Sequence, residues 1–208
     1  MSTEAHAHTE VHIHRDDVGA RLGMWLFLFT ELILFGGLFI VYSIYRYTYP
    51  EDFRLAAKEL NTIIGAFNTI ILLTSSLTMV LSIAAIQRQN KNLSMFFQMI
   101  TIALALSFMV NKYFEWTAKF HHGIYPGSDS LMNESSGQIL FYGLYYVMTG
   151  LHGLHVVIGI VAISIMVRFT KKGIVNSDSY VKLENVGLYW HLVDIIWIFL
   201  FPLFYLIT

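Results

Sequence analysis

Long apolar runs broken by short polar segments divide the chain into five blocks. They cover about Leu22–Tyr45, Thr62–Ile86, Leu93–Phe120, Ile139–Val167 and Leu183–Ile207. A helix rises 1.5 Å per residue, so about 20 apolar residues cross a hydrocarbon core about 30 Å thick. Every block is long enough. Each is too long for a buried strand, and none alternates in polarity as the wall of an outer-membrane barrel does. The pattern predicts an all-α integral membrane bundle of five transmembrane helices. The third run turns polar at Asn111, which places its last turns at the interface or against protein.

Residues 1–21 read as a polar, His-rich N-terminal tail and residues 22–208 as the membrane domain. His6 and the acidic residues Glu4, Glu10, Asp16 and Asp17 leave no apolar core for a signal peptide. His6, His8, His12 and His14 could bind metal weakly, but a solvated tail needs no metal to explain it. The longest connection, Phe120–Gly137, carries the turn residues Tyr125-Pro126-Gly127-Ser128.

Composition narrows the class. Of 208 residues, 56% are hydrophobic and 13% charged, against roughly 25% charged in a soluble domain. A water-soluble monomer and a disordered chain are excluded. Thirteen Lys and Arg face 14 Asp and Glu, a formal charge of −1, so no basic surface exists to hold nucleic acid. The absence of Cys removes disulfides, thiolate metal sites and iron–sulfur clusters. The N-terminus and the second and fourth connections carry Arg15, Arg21, Arg88, Lys91, Arg168, Lys171, Lys172 and Lys182, while the opposite side carries Arg46, Arg54, Lys58, Lys112 and Lys119. The positive-inside rule then predicts N-in, C-out.

Ionisable residues within spans are costly and mark candidate sites. Glu31 lies nine residues after Leu22, about 14 Å into its span, between Phe27 and Phe35. It either finds a donor on another helix or stays protonated, as a proton-linked or lipid-contacting group or as a plain structural one. Glu115 follows Lys112 by three residues and precedes Lys119 by four, spacings that support an ion pair within the helix. In the fourth span, Thr149, His152, His155 and Gly159 share a stripe about 120° wide. Two histidines on one face could ligate metal or haem. Gly143, Gly150, Gly153 and Gly159 favour close helix packing with interhelical hydrogen bonding instead. In the fifth span Glu184 and His191 share a face, with Asp194 one turn on and expected to pair with His191 or with a histidine of span four.

In order, these segments resemble subunit III of the haem-copper respiratory oxidases, from about Arg21 to Thr208. The pieces are Gly23-Met24-Trp25-Leu26-Phe27-Leu28-Phe29-Thr30-Glu31, Asn68-Thr69 with Leu72-Leu73-Thr74-Ser75-Ser76, and Lys112-Tyr113-Phe114-Glu115-Trp116. Thr149-Gly150-Leu151-His152-Gly153-Leu154-His155-Val156 and Tyr189-Trp190-His191-Leu192-Val193-Asp194-Ile195-Ile196-Trp197 complete the set, and that ordered pair is highly characteristic. The chain looks like the five-helix form, which starts at the third helix of longer members, so any cleft lipid is held by these five helices alone.

The resemblance implies a non-catalytic membrane subunit of a cytochrome c or quinol oxidase that reduces oxygen to water and pumps protons. It would stabilise catalytic subunit I, work beside subunit II, support proton uptake and sit in a bacterial inner membrane. Haem and copper belong to the partner subunits; this chain would bind no metal, and phospholipid would be its bound cofactor. By the resemblance Glu31 corresponds to the family's membrane-buried Glu beside the catalytic subunit and Glu115 to its motif carboxylate, both in supporting proton or lipid-contact roles, while Lys112, His152, His155, Glu184, His191 and Asp194 would form a structural polar network. An accessory protein of a nitric oxide reductase would share the five-helix form and the motifs, and a third reading is an autonomous di-haem membrane cytochrome using His152, His155 and His191.

Overall fold

The computed structural model describes residues 16–207, so His6, His8, His12 and His14 lie outside the described residues. Seven helices follow in order: α1 (Asp17–Thr48), α2 (Pro50–Ala57), α3 (Thr62–Gln87), α4 (Lys91–His121), α5 (Asp129–Met132), α6 (Ser136–Lys171) and α7 (Val181–Tyr205). Five of these, α1, α3, α4, α6 and α7, are long and apolar enough to cross a membrane. The fold is therefore the all-α bundle that the hydrophobic pattern predicts. Most of the spans overrun their apolar blocks, because backbone hydrogen bonding continues into the polar boundary until a cap stops it. Asp16, Asn61, Asn90 and Ser135 each set a helix start by accepting from a backbone N–H in the first turn.

Two helices lie in the connections. α2 opens on Pro50 and turns Phe53, Ala56 and Ala57 inward. The Phe53 ring meets Tyr42 and Phe141 edge-on at 5.5 and 5.3 Å, which roofs one end of the bundle. α5 is a single turn capped by Ser128, inside the connection read from sequence as turns.

α7 is the centre of the bundle, packed on α3, α6 and α1, with 13 of its 25 residues buried. α3 and α4 form an antiparallel hairpin beside it, and α4 also meets α6. α1 is peripheral. It buries only Leu28, Phe35 and Tyr42, every seventh residue, so it rests on α6 and α7 along one narrow seam. Its opposite face presents Leu22, Trp25, Leu26, Phe29, Ile33 and Ile40 outward.

Candidate functional site

Three polar assemblies sit where these helices meet. The first joins α4, α6 and α7. Lys112 and Glu115, one turn apart, approach to 3.1 Å with side chains 9% and 7% exposed. Tyr145 from α6 and Tyr205 from the end of α7 both donate to Glu115 Oε1, at 2.6 and 2.5 Å. Lys112 Nζ also donates to the Tyr205 hydroxyl at 2.7 Å and stands 4.9 Å from the Trp197 ring centroid. One carboxylate thus takes three donors, and one ammonium is wrapped by aromatic faces, the arrangement a buried charge pair needs to stay inside.

The second joins α1 to α6. His155 Nε2 lies 2.9 Å from Glu31 Oε2, and His155 Nδ1 lies 2.8 Å from the Leu151 carbonyl. A carbonyl only accepts, so Nδ1 carries a hydrogen and Nε2 is left to face the carboxyl group. One proton must then lie between Nε2 and Oε2, whichever atom holds it. The pair is neutral as a unit in both forms, which suits a site deep in a span. Glu31 belongs to the α1 seam, between Leu28 and Phe35, and Phe35 packs edge-on against the His155 ring.

The third joins α3 to α7. The Ser76 hydroxyl lies 2.6 Å from His191 Nδ1, and nearby Trp190 and Trp197 donate to Ser75 and Thr69 at 3.1 and 3.0 Å.

The six residues expected to form a single polar network are therefore divided. Glu184 pairs with Arg21 of α1 at 2.8 Å, with side chains 47% and 33% exposed for Arg21 and Glu184, and apart from His191, because it lies in the first turn of α7 at the end of the bundle. Asp194 is 3% exposed and meets no histidine among the described residues; the Ser76 hydroxyl lies beside its carboxyl group and 2.6 Å from His191 Nδ1. The expected Asp194–histidine pairing is absent. His152 is fully buried, neither ring nitrogen has a hydrogen-bond partner among the described residues, and the ring packs 5.7 Å from the Phe108 ring and 5.4 Å from that of Trp197.

The four glycines divide too. A Cβ on Gly159 would come within 2.6 Å of the Trp190 ring, and one on Gly150 within 3.2 Å of Trp116. Gly143 and Gly153 have open space where a Cβ would go, so helix contact does not require glycine there.

Tyr145 and Tyr205 were not singled out in the sequence, while Ser76 stood there only as part of a motif and Arg21 only as a basic residue of the N-terminal side. Tyr145 had a signal, since it lies seven residues before His152 on the same helical face. Tyr205 had none, being 90 residues from the carboxylate it serves. Among the described residues no group of three or more His, Asp or Glu is placed to hold a metal ion.

The family model for cytochrome c oxidase subunit III matches residues 1–208. Cytochrome c oxidase subunit 3 of Synechocystis sp. is 36% identical over 201 residues, covering 95% of this chain and 80% of the relative. The probable quinol oxidase subunit 3 of Staphylococcus epidermidis is 31% identical over 190 residues, covering 90% of this chain and 88% of the relative. A haem-copper oxidase subunit I+III of Aeropyrum pernix is 30% identical over 195 residues, covering 90% of this chain and 22% of that much longer relative. Five spans and a whole-length family match agree: the chain belongs to the cytochrome c oxidase subunit III family.

Proposed function

We propose that this chain is the non-catalytic third subunit of a proton-pumping haem-copper terminal oxidase, in which it stabilises catalytic subunit I and supports proton uptake. The family match over residues 1–208 carries the reading. The Aeropyrum relative, whose name joins subunits I and III, supports direct association with subunit I. The apolar outer face of α1 is the surface suited to that contact, because its seam uses only one side of the helix. Subunit II completes the complex, haem and copper reside in the partner chains, and membrane lipid covers the remaining apolar faces. The complex lies in a bacterial inner membrane with this chain N-in and C-out, following the eight-to-five excess of basic residues. Glu31 with His155 and Glu115 with Lys112 act as buried carboxylate pairs, and His152, His191 and Asp194 are structural.

The relatives described above are named as oxidase subunits, which favours the oxidase over a nitric oxide reductase accessory role. Purification through this chain in mild detergent tests the proposal. A haem-containing subunit I and a copper-binding subunit II should co-purify, with oxygen consumption supported by reduced cytochrome c or a quinol. Recovery of the chain alone, or with a nitric oxide reductase, would overturn it.

A further inference from the structure

α7 packs on three helices, yet one strip of it is open. Leu188, His191, Ile195, Ile198 and Pro202 follow one another at spacings of three and four residues, so they share a face. Ile195 and Ile198 are 46% and 41% exposed. The strip runs between α3 and α1. On one flank, a Cβ on Gly187 would come within 2.7 Å of Ile83 of α3, and Trp190 donates to Ser75 of the same helix. On the other flank, the Tyr189 and Phe199 rings lie 6.0 Å from Phe27 and Phe39 of α1.

His191 is the polar residue of this strip. It stands ten residues after Val181, about 15 Å into α7 and near the middle of the span. The Ser76 hydroxyl lies 2.6 Å from Nδ1, and the buried Asp194 carboxyl group lies on the far side of that hydroxyl. The ring is therefore held from within the bundle. Its Nε2 has no hydrogen-bond partner among the described residues and is not enclosed by them. In a neutral imidazole one nitrogen donates and the other accepts, so Nε2 turns either an N–H or a lone pair outward. An acyl chain satisfies neither, and a polar side chain at this depth calls for a partner.

We propose that the open strip of α7 docks one transmembrane helix of a different polypeptide, which bonds His191 Nε2 through a hydroxyl or carboxamide side chain. Those two groups both donate and accept, so either tautomer of His191 is matched. A second copy of this chain fits less well. A twofold axis at the strip would set identical Nε2 atoms against each other, donor to donor or acceptor to acceptor. The proposal goes beyond the oxidase reading and rests only on the membrane-spanning fold.

The chain has no cysteine, so Ile195→Cys, one turn from His191, gives it a single attachment point for a benzophenone maleimide in native membranes. After irradiation and purification through this chain, one other polypeptide should be joined to it. The joined peptide should be a membrane span with Ser, Thr, Tyr, Asn or Gln within one turn of the adduct. His191→Phe keeps a ring without the polar atoms and should lower retention of that polypeptide in mild detergent about threefold to tenfold. Replacing the partner's polar residue by an apolar one should do the same, and the two changes together should do no more than either alone. If His191→Phe fails to accumulate, the cross-link formed with His191 intact still decides. A cross-link to lipid only, to a second copy of this chain or to a span without such a side chain would overturn the proposal, as would the absence of any product. A matching span from a polypeptide outside any oxidase would instead overturn the functional reading and leave this one standing.

Discussion

Replacing Glu115 with leucine would strand the Lys112 ammonium inside the bundle. Removing one member of a buried ion pair costs about 3–5 kcal/mol, because the remaining charge has lost its compensation. Two tyrosine hydroxyls lose their acceptor in the same step, at about 1 kcal/mol each. Some of this is recovered, since Lys112 keeps the Tyr205 oxygen at 2.7 Å and the Trp197 ring at 4.9 Å. We expect a net loss of about 4 kcal/mol for Glu115→Leu.

The double variant Lys112→Met with Glu115→Leu removes both charges together. Tyr145 and Tyr205 then bond to each other, their hydroxyls already being 3.5 Å apart. The expected cost falls to about 1–2 kcal/mol, about 2–3 kcal/mol less than for Glu115→Leu alone, and the cost of Lys112→Met alone adds to that difference, so the coupling energy is at least about 2–3 kcal/mol. That value separates two accounts. Polar contacts between membrane helices average only about 0.6 kcal/mol in such cycles, because the unfolded chain in lipid finds other partners. Two ions with side chains under 10% exposed should exceed that average. Reversible unfolding in mixed micelles, followed by tryptophan fluorescence, measures all four corners of the cycle. A coupling below about 1 kcal/mol would refute the claim that Lys112 is held in place by Glu115.

Glu31→Gln should assemble normally, because a Gln amide can donate to His155 Nε2 in place of the shared proton; sustained turnover and proton uptake of the complex should decline, and unchanged values would remove Glu31 from proton handling. Asp194→Asn should leave thermal stability within about 0.5 kcal/mol, since the amide oxygen can still accept from the Ser76 hydroxyl beside it, and a loss above 2 kcal/mol by differential scanning would point to a partner brought by another subunit. Gly159→Ala should cost about 1–3 kcal/mol by driving α6 off the Trp190 ring. Gly153→Ala, with open space at its Cβ, should be neutral or gain up to about 1 kcal/mol from helix propensity; equal effects at the two glycines would argue against a face-specific contact.

What could be seen in the sequence follows from the range of each interaction. Span number is a property of consecutive residues, so five apolar runs became five crossing helices. Lys112 and Glu115 meet because helical geometry alone brings positions three apart together. The same spacing failed for His191 and Asp194, because a shared face does not fix where a side chain points, and Ser76 of α3 claimed the His191 ring. Gly143 and Gly153 looked like packing residues for the same reason: the sequence shows a small residue but not whether a helix stands opposite. Glu31 clearly needed a donor, yet His155 is 124 residues away on a helix whose orientation only packing decides. α2 was missed because its eight residues lie outside the five apolar blocks and carry no apolar run, and Phe53 has a reason to be buried only once Tyr42 and Phe141 are beside it.

Lipid is as apolar as the side chains it would replace, so hydrophobic burial does little to hold one membrane helix on another. α1 has only three buried residues along its seam. Polar links at three depths supplement them: Arg21 with Glu184 at one end, Glu31 with His155 in the middle, and the Tyr42 hydroxyl on the Leu203 carbonyl at the other. Glu31 is therefore an anchor of α1 by geometry, whatever it does with protons. The two roles separate by substitution. Glutamine preserves the link to His155 and removes the titratable group, whereas leucine removes both. If Glu31→Leu alone releases α1 to proteolysis while both variants lose sustained turnover, the carboxyl group serves in both capacities. If turnover falls only in the leucine variant, holding α1 in place accounts for the whole effect.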